Sequence, residues 1–583
     1  MDYKRRKSSV AHIGNTPMGG DFPIRVQSMA NVSTMDTDAA VAQAISLIQA
    51  GSEYVRFTAQ GEREARNLGV IRRILNEKGY HTPLVADIHF NPRAADAAAC
   101  NVEKVRINPG NYVDRVKTFS HLEYTDEEYA AELQKIRDRF VPFLNICREH
   151  GTAIRIGVNH GSLSDRIMSR YGDTPEGMVA SCMEFLRICR DENFPDVVIS
   201  IKASNTVVMV QTVRLLVRTM DAEDMHYPLH LGVTEAGEGE DGRIKSAVGI
   251  GTLLAEGIGD TIRVSLSEAP EAEIPVAKKL LSFATRRMKW TIDNGQLTIN
   301  TDSTTPPIVN CQLSIVNSKL SSPAVLLLSA DGRSANFVSP EGDIEASLPL
   351  FTWNTIAAEG ASGDTNRLLE IEYKDLTDDA LERLRTMRNT ILVLSTQREN
   401  GLYEQRAALR KLAGAGIALP VIIRRDYDDT LAEDFQLKAA VDTGALLIDG
   451  WADGLLLVAP HIAEAQVRGT AFAILQATRR RISKTEYISC PSCGRTLYDL
   501  QATIARVKAA TSHLKGLKIG IMGCIVNGPG EMADADYGYV GAGINRISLY
   551  KGKQCVLKNI PEAEAVEKLV ALIKENGDWH EKA

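Results

Sequence analysis

The sequence predicts an α/β protein: an N-terminal (β/α)8 TIM barrel, a second α/β insert domain, and a C-terminal α+β domain. Three observations carry this. Eight strand-like runs alternate with amphipathic helical stretches over the first ~290 residues, the count of units that closes a barrel. The character of the chain changes after residue 288, where a polar stretch interrupts the rhythm. A closely spaced cysteine pair, "CPSC" at 490–493, then opens a third compositional unit. The predicted boundaries are 1–288, 289–484 and 485–583.

The barrel strands are expected at "PIRVQSM" (23–29), "EYVRFTA" (53–59), "PLVADIHF" (83–90), "EKVRINPG" (103–110), "AIRIGVNH" (153–160), "DVVISIKAS" (196–204), "PLHLGVTEAG" (228–237) and "DTIRVSLS" (260–267). Helices follow, as in "DTDAAVAQAISLIQAG" (36–51) and "TPEGMVASCMEFLRICRDENF" (174–194). An open doubly wound sheet is the alternative. It usually has fewer units and a glycine fingerprint after its first strand, and "SMANVSTMDT" holds no such fingerprint.

The insert opens with "KWTIDNGQLTINTDSTTPP" and continues through strand runs at 324–330, 368–374, 390–396, 420–426 and 454–460, with a helix at 377–389. A parallel α/β domain with a structural or spacer role is expected. The last unit reads as a helix at 497–514, a strand at 517–523, two strands near 537–557 and a closing helix at 561–577.

Composition narrows the class. A hydrophobic content of 44% and a charged content of 24% are those of an ordinary globular protein. The formal charge of −7 is small for 583 residues and selects neither nucleic acid nor an anionic membrane as partner. No apolar run approaches the ~20 residues of a membrane span, and "MDYKRRKSSV" lacks the apolar core of a signal peptide. A cytoplasmic protein is expected. Nine cysteines are too few for a disulfide scaffold. Cys100, Cys147, Cys182 and Cys189 fall on or at the ends of apolar helix faces and read as small buried hydrophobes, while Cys311 and Cys555 sit in unremarkable strand-like contexts.

The cysteines of the third unit differ. After Cys490 and Cys493 comes Cys524 in "IMGCIVNGPGEM", and no second Cys pair follows. This is a three-cysteine site short of one ligand. The "NGPG" turn ends in Glu531, which is placed to fold back over the site. Three thiolates suit an iron–sulfur cluster, and a carboxylate is a harder, more easily displaced fourth ligand. Zinc completed by His513 or water is the other reading of the same spacing.

The barrel strands carry charges that a core would not need. Arg56, Arg106, Arg155, Lys202 and Arg263 lie toward the C-terminal ends of five strands, where active sites of this fold gather. Asp87 and His89 end the third strand, Asn108 and Asn159 follow two of the arginines, His230 and Glu235 belong to the seventh strand, and Ser265 and Ser267 to the eighth. Five converging cations outnumber the carboxylates near them and imply a phosphate-rich ligand.

At this point "VQSM", "GIGDTIRVSLS", "CPSC" and "MGCIVNGPGE" together closely resemble the 4-hydroxy-3-methylbut-2-enyl diphosphate synthase family of the methylerythritol phosphate route of isoprene and terpenoid biosynthesis. The resemblance covers the barrel and the C-terminal domain, and the insert is similar to that of the family's large, three-domain form. It implies a 4Fe-4S cluster held by Cys490, Cys493, Cys524 and Glu531. It implies 2-C-methyl-D-erythritol 2,4-cyclodiphosphate as substrate, opened by two-electron reduction with loss of water. It further implies ferredoxin or flavodoxin as one-electron donor and a homodimer whose cluster domain closes over a barrel mouth, its own or the partner's. Arg56, Arg106, Arg155 and Lys202 would clamp the diphosphate with Asn159, Arg263 and Ser265 assisting, Glu531 would exchange for a substrate oxygen, and Glu235 and His89 are candidates for proton handling.

Two rivals follow from the residues alone. One is a metal-free barrel enzyme acting on a pterin or another diphosphate, similar to dihydropteroate synthase, with a structural zinc domain. The other is a zinc-stabilised module for RNA or protein on a degenerate barrel, which requires a basic stripe with interleaved aromatics that the C-terminal domain lacks.

Overall fold

The computed structural model describes residues 5–114, 123–288, 323–359, 365–496, 498–525, 530, 532 and 534–581. The polar stretch 289–307 and Cys311 lie outside them. Arg5–Leu253, Gly257–Lys278 and Lys484–Ala583 form one compact unit, and Leu254–Glu256 with Lys279–Ser483 belong to a second.

The first unit contains all eight expected barrel strands: β1 (Arg25–Met29), β2 (Tyr54–Ala59), β3 (Leu84–Ile88), β4 (Lys104–Ile107), β5 (Ala153–Asn159), β6 (Val197–Lys202), β7 (His230–Leu231) and β8 (Thr261–Ile262). They pair in the order β6-β5-β4-β3-β2-β1-β8-β7. A backbone bridge from Ile199 of β6 to Leu229 beside β7 closes the ring, with the Ile199 amide donating to the Pro228 carbonyl at 2.9 Å. Strands β3 to β6 are buried at every residue, as parallel strands covered by helices outside and side chains inside must be. β7 and β8 are shorter than their sequence runs because the chain leaves the ladder after Leu231 and Ile262 to build the mouth.

Local signals set the helix ends. Asp36 caps the helix Thr37–Ala50 by accepting from the Ala39 amide, and Gly51, at φ +104°, ends it. Thr125 and Glu128 form a capping box on Asp126–His150. Thr174 followed by Pro175 starts Pro175–Asp191. The barrel floor was not anticipated. Ala11 and Met18 bridge antiparallel, and with Ile13 they pack on Tyr54, Val85, Ala153 and Val198, plugging the N-terminal end. Cys147, Cys182 and Cys189 are buried as expected, but Cys100 is exposed, because it sits at the C-terminal cap of the helix Pro92–Ala99 rather than on its inner face.

The second unit, expected as a parallel α/β domain, is a closed barrel. Its strands are β9 (Ala324–Leu328), β10 (Ser334–Val338), β11 (Ile344–Thr352), β12 (Arg367–Ile371), β13 (Thr390–Leu394), β14 (Val421–Asp426) and β15 (Gly454–Val458), in ring order β10-β11-β12-β13-β14-β15-β9. β10 runs antiparallel to both neighbours and closes a set that is otherwise parallel. Leu326, Phe337, Leu368, Ile391, Ile422 and Leu456 belong to its apolar core.

Back in the first unit, β16 (Glu486–Ser489), β17 (Lys518–Met522), β18 (Tyr537–Gly543), β19 (Arg546–Lys551) and β20 (Gln554–Pro561) form one sheet in sequence order. Its first three strands are parallel and its last three antiparallel. Helices Leu500–Thr511 and Glu562–Glu575 pack on it through Ile504, Val507, Leu569 and Ile573.

Candidate active site

The parallel part of the C-terminal sheet ends at the mouth of the chain's own barrel. Cys490 follows β16, and Cys524 follows β17 by two residues, so parallel pairing alone places both cysteine segments at one edge of the sheet. That edge is seated by backbone. Ala236, beyond β7, bridges to Ser489. Gly161, after β5, has φ +72°, and a Cβ there would lie 2.1 Å from the Gly530 carbonyl oxygen, so Gly530 rests main chain to main chain on the barrel.

A cavity lies between mouth and sheet. From the barrel, Arg56, Arg106, Arg155, Lys202 and Arg263 line it, with Asp87, His89, Asn159, Glu235 and Ser265. From the sheet come Cys490, Cys493, Cys524 and Arg495. Arg56 and Arg155 sit in mid-strand, deeper than the strand-end positions expected for them. Arg106 of β4 and Arg155 of β5 are register partners, so their side chains enter the barrel side by side.

Asp87 organises the cations. Its Oδ1 accepts from Arg106 Nη1 at 3.1 Å and its Oδ2 from Arg56 Nη2 at 3.2 Å. Arg106 Nη2 also donates to the Gly157 carbonyl at 2.9 Å and to Asn159 Oδ1 at 3.1 Å. Although burial opposes it, the Asp87 carboxyl is held well below the usual range by Arg56 and Arg106. Burial and then neighbouring Arg56 push down the pKa of both Arg155 and Lys202. Arg155 Nε and Nη1 and Arg56 Nε are buried with no hydrogen-bond partner in the protein. Guanidinium donors left open in this way suit an anionic ligand.

Of the nine described non-glycine residues at positive φ, Glu235 and Ser492, at 48° and 66°, line this cavity. Glu235 is buried at the mouth, accepts from Thr234 Oγ1 at 2.6 Å, and lies near enough to Lys202 and Cys490 to act on both electrostatically.

Several expected residues do otherwise. Arg106 donates to His89 Nε2, and burial together with Arg106 takes the histidine down to about 3, so His89 is neutral and orients Arg106. Asn108 does not line the cavity, because its Oδ1 caps the following turn at the Gly110 amide. His230 lies within the barrel, below the lining, where burial and then Arg155 hold it neutral. Ser267 turns to the sheet, with its Oγ 2.8 Å from Ser489 Oγ, 3.1 Å from the Ser489 carbonyl oxygen and 3.0 Å from that of Cys490. The chain has already left β8 there, so the two-residue alternation no longer sets its direction. Arg263 lines the cavity with its charge spent on Glu273, at 2.9 and 3.1 Å.

Two participants were missed in the sequence. Glu273 comes from the helix Pro270–Met288 and carries no local signal. Arg495 stands directly after "CPSCG", where the cysteine spacing drew all the attention; its Nη1 is 3.4 Å from Asp87 Oδ2.

The three thiols face one cavity, and the Gly523 amide donates to Cys490 Sγ at 3.2 Å. Hydrogen bonding from Cys524 holds the Cys493 thiol well below its ordinary value, with Arg495 adding to the effect, whereas burial and then Glu235 raise Cys490 to about 12. Soft sulfur donors converging beside amide and guanidinium donors fit an iron–sulfur cluster, whose thiolates such donors stabilise. Among the described residues no group of three His, Cys, Asp or Glu side chains is arranged to hold a single metal ion. Glu531, the expected fourth ligand, lies outside the described residues. His513, the alternative zinc ligand, packs edge-on against Trp579 with ring centroids 4.8 Å apart.

Comparison with known proteins gives matching families at both ends of the chain. Residues 8–278 match the GcpE TIM-barrel domain and residues 486–575 the GcpE protein C-terminal domain. The chain is 66% identical over 606 residues to the 4-hydroxy-3-methylbut-2-en-1-yl diphosphate synthase (flavodoxin) of Parabacteroides distasonis, covering 99% of each. It is 56% identical to the protein of the same name from Bacteroides fragilis, covering 100% of this chain and 97% of that one. With the one from Porphyromonas gingivalis it shares 55% identity over 100% of this chain and 99% of that one.

Proposed function

The chain belongs to the 4-hydroxy-3-methylbut-2-en-1-yl diphosphate synthase family, and from that premise we propose how its residues carry out the reaction. The substrate is 2-C-methyl-D-erythritol 2,4-cyclodiphosphate. Two electrons and one proton enter. The ring C–O bond to phosphate and the neighbouring C–OH bond break, a C=C bond forms, and the hydroxyl leaves as water. The freed phosphate oxygen keeps one more negative charge.

The observation that carries this reading is the pairing of unpartnered guanidinium donors with three thiols across one cavity. Arg56, Arg106, Arg155 and Lys202 bind the diphosphate. The same donors stabilise the charge that grows on the phosphate oxygen as its bond to carbon opens, a preorganised electrostatic effect. Asp87 and Asn159 hold Arg106 in place. Ser265 completes the wall. Glu235 is assigned the proton that leaves with the hydroxyl, because it is buried at the mouth within electrostatic reach of both Lys202 and Cys490. His89 is assigned orientation of Arg106 in place of proton transfer.

Cys490, Cys493 and Cys524, with Glu531 as the exchangeable fourth ligand, are the residues assigned to a 4Fe-4S cluster, which when bound supplies electrons singly. Flavodoxin is the proposed donor, since the relatives carry it in their names. Among the described residues no helix is long and apolar enough to cross a membrane. A cytoplasmic setting is proposed, where reducing conditions keep the three thiols available. A homodimer is proposed on the resemblance, with sedimentation as its test, and the insert, with its apolar interior, is assigned a spacer role.

The test is preparation of the protein without oxygen, measurement of iron and sulfide, and assay of cyclodiphosphate turnover with a strong one-electron reductant and with reduced flavodoxin. Iron with matching sulfide and turnover in both assays is expected. Zinc in place of iron, or no turnover by an iron-loaded sample, refutes the reading. Turnover with the chemical reductant but not with flavodoxin refutes the donor alone.

A further inference from the structure

Glu273 reaches the barrel mouth from the helix Pro270–Met288. It is 2% exposed and stands behind the cavity wall rather than in it. Four donors fill its carboxylate. Arg263 Nη2 and the Leu266 amide give to Oε1 at 2.9 and 3.2 Å, and Arg263 Nε and Ser28 Oγ give to Oε2, each at 3.1 Å. A carboxylate has about four acceptor positions, so Glu273 has none left for a ligand. Ser28 and Leu266 fix the carboxylate itself, which makes it a rigid partner for the arginine.

Arg263 is the side chain this arrangement serves. It lies one residue past the end of β8, whereas Arg106 and Arg155 lie within β4 and β5 and are oriented by those strands. The pair with Glu273 takes over that task. Two bonds, from Nε and Nη2, fix the plane of the guanidinium. Nη1 is left at the other end, 3.6 Å from Met29 Sδ, and Met29 and Arg263 both line the cavity. A thioether is a weak acceptor and gives way readily to an anionic oxygen. Because Glu273 balances its charge, Arg263 brings direction to the mouth and little net charge.

We propose that Glu273 is a positioning residue for the reaction, holding Arg263 so that its Nη1 faces the diphosphate. This rests on the diphosphate reading above. The fixed donor meets the charge that grows on the phosphate oxygen as its bond to carbon opens, so the pair acts in the transition state more than in binding.

The experiment measures cyclodiphosphate turnover and, by calorimetry, binding of inorganic pyrophosphate to the iron-loaded protein without oxygen. Glu273→Gln keeps the size but offers an N–H where Arg263 needs an acceptor. Its kcat is expected to fall by at least about tenfold. Pyrophosphate should bind it as tightly as the unaltered protein, or more tightly, because a carboxylate has gone from beside the site. A residue that merely held the fold together would lower both. Glu273→Asp, which keeps the charge but draws back by one methylene, should lose less kcat and leave pyrophosphate binding unchanged. In combination with Arg263→Met, Glu273→Gln should cost no further kcat, since it acts through that side chain. A kcat within about threefold of the parent in Glu273→Gln overturns the inference alone. So does a parallel loss of kcat and pyrophosphate affinity, or additive losses in the double variant. Glu273→Asp decides by the same two measurements should Glu273→Gln fail to fold. Unaltered iron-loaded protein that neither binds pyrophosphate nor turns over the cyclodiphosphate overturns the diphosphate reading and this inference together.

Discussion

Gly157 offers the sharpest test of how the mouth is held. It lies in the middle of β5, and its carbonyl accepts from Arg106 Nη2 at 2.9 Å. Its φ is not among the positive ones, so alanine fits the backbone without strain. The obstacle is the side chain: an added Cβ would lie 2.5 Å from Arg106 Nε and 3.1 Å from Ser200 Oγ. Carbon and nitrogen rest comfortably near 3.5 Å, so Arg106 must retreat by about 1 Å. Ser200 closes one route, and Asp87 with His89 closes another.

Such a retreat stretches the bonds to Gly157 and Asn159, each of a class worth about 1.5–3 kcal/mol when the donor is charged. A displacement of this size in a substrate clamp costs about 100-fold in kcat/KM. Overpacking adds a loss of stability of about 1–3 kcal/mol, which leaves the protein folded. The assay is steady-state turnover of the cyclodiphosphate by iron-loaded Gly157→Ala, beside a thermal melt. A folded, iron-loaded variant within about threefold of the parent in kcat/KM would refute the placement of Arg106 as a clamp.

Three further outcomes are expected. Glu531→Ala should lower iron content and turnover while the barrel keeps its melting behaviour; full iron and full activity would remove Glu531 as a ligand. His89, held down to about 3 from 6.5, stays neutral in the native chain while the unfolded chain protonates. Native stability therefore falls as pH drops from 6.5 toward 3, by up to ~1.4 kcal/mol per pH unit from this group, and His89→Gln should flatten that slope in urea unfolding between about pH 5 and 7; an unchanged slope refutes the neutral assignment. Lys104 is fully buried, its Nζ has no hydrogen-bond partner and lies 4.1 Å from the Tyr54 ring centroid, and its charged neighbours are Arg155 and Arg56. Lys104→Met should stabilise the ligand-free protein by about 1–2 kcal/mol in thermal unfolding, and a destabilisation of that size would refute the reading of Lys104 as uncompensated.

The barrel was legible because eight repeats of one unit leave a period no single substitution hides, and its cations were legible because charge at inward strand positions contradicts a packed interior. Legibility ended where the ladder ended. Arg263, Ser265 and Ser267 look like one face of a strand, but β8 stops at Ile262 and Ser267 faces the cysteine edge instead. The closure of the second barrel depends on β10 and on β11, "IEASLPLFT", which the strand runs read from the sequence did not include. Glu273 and Arg495 act across elements far apart in sequence, and no local spacing records such a meeting.

The chemistry of the mouth follows from an imbalance the fold maintains. Among the described residues six basic side chains and two carboxylates line one cavity, and folding alone gains nothing from gathering them there. Their desolvation shows in the depressed pKa values of Arg155 and Lys202. A monoanion would relieve little of this. A cyclic diphosphate relieves more, and its ring opening adds a further negative charge to the phosphate just as the bond breaks. The cations therefore favour the product side of the bond cleavage more than the substrate side, which is the condition for catalysis rather than mere binding. Hydrogen bonding from Cys524, and after it the charge of Arg495, favours the thiolate form of Cys493 beside them.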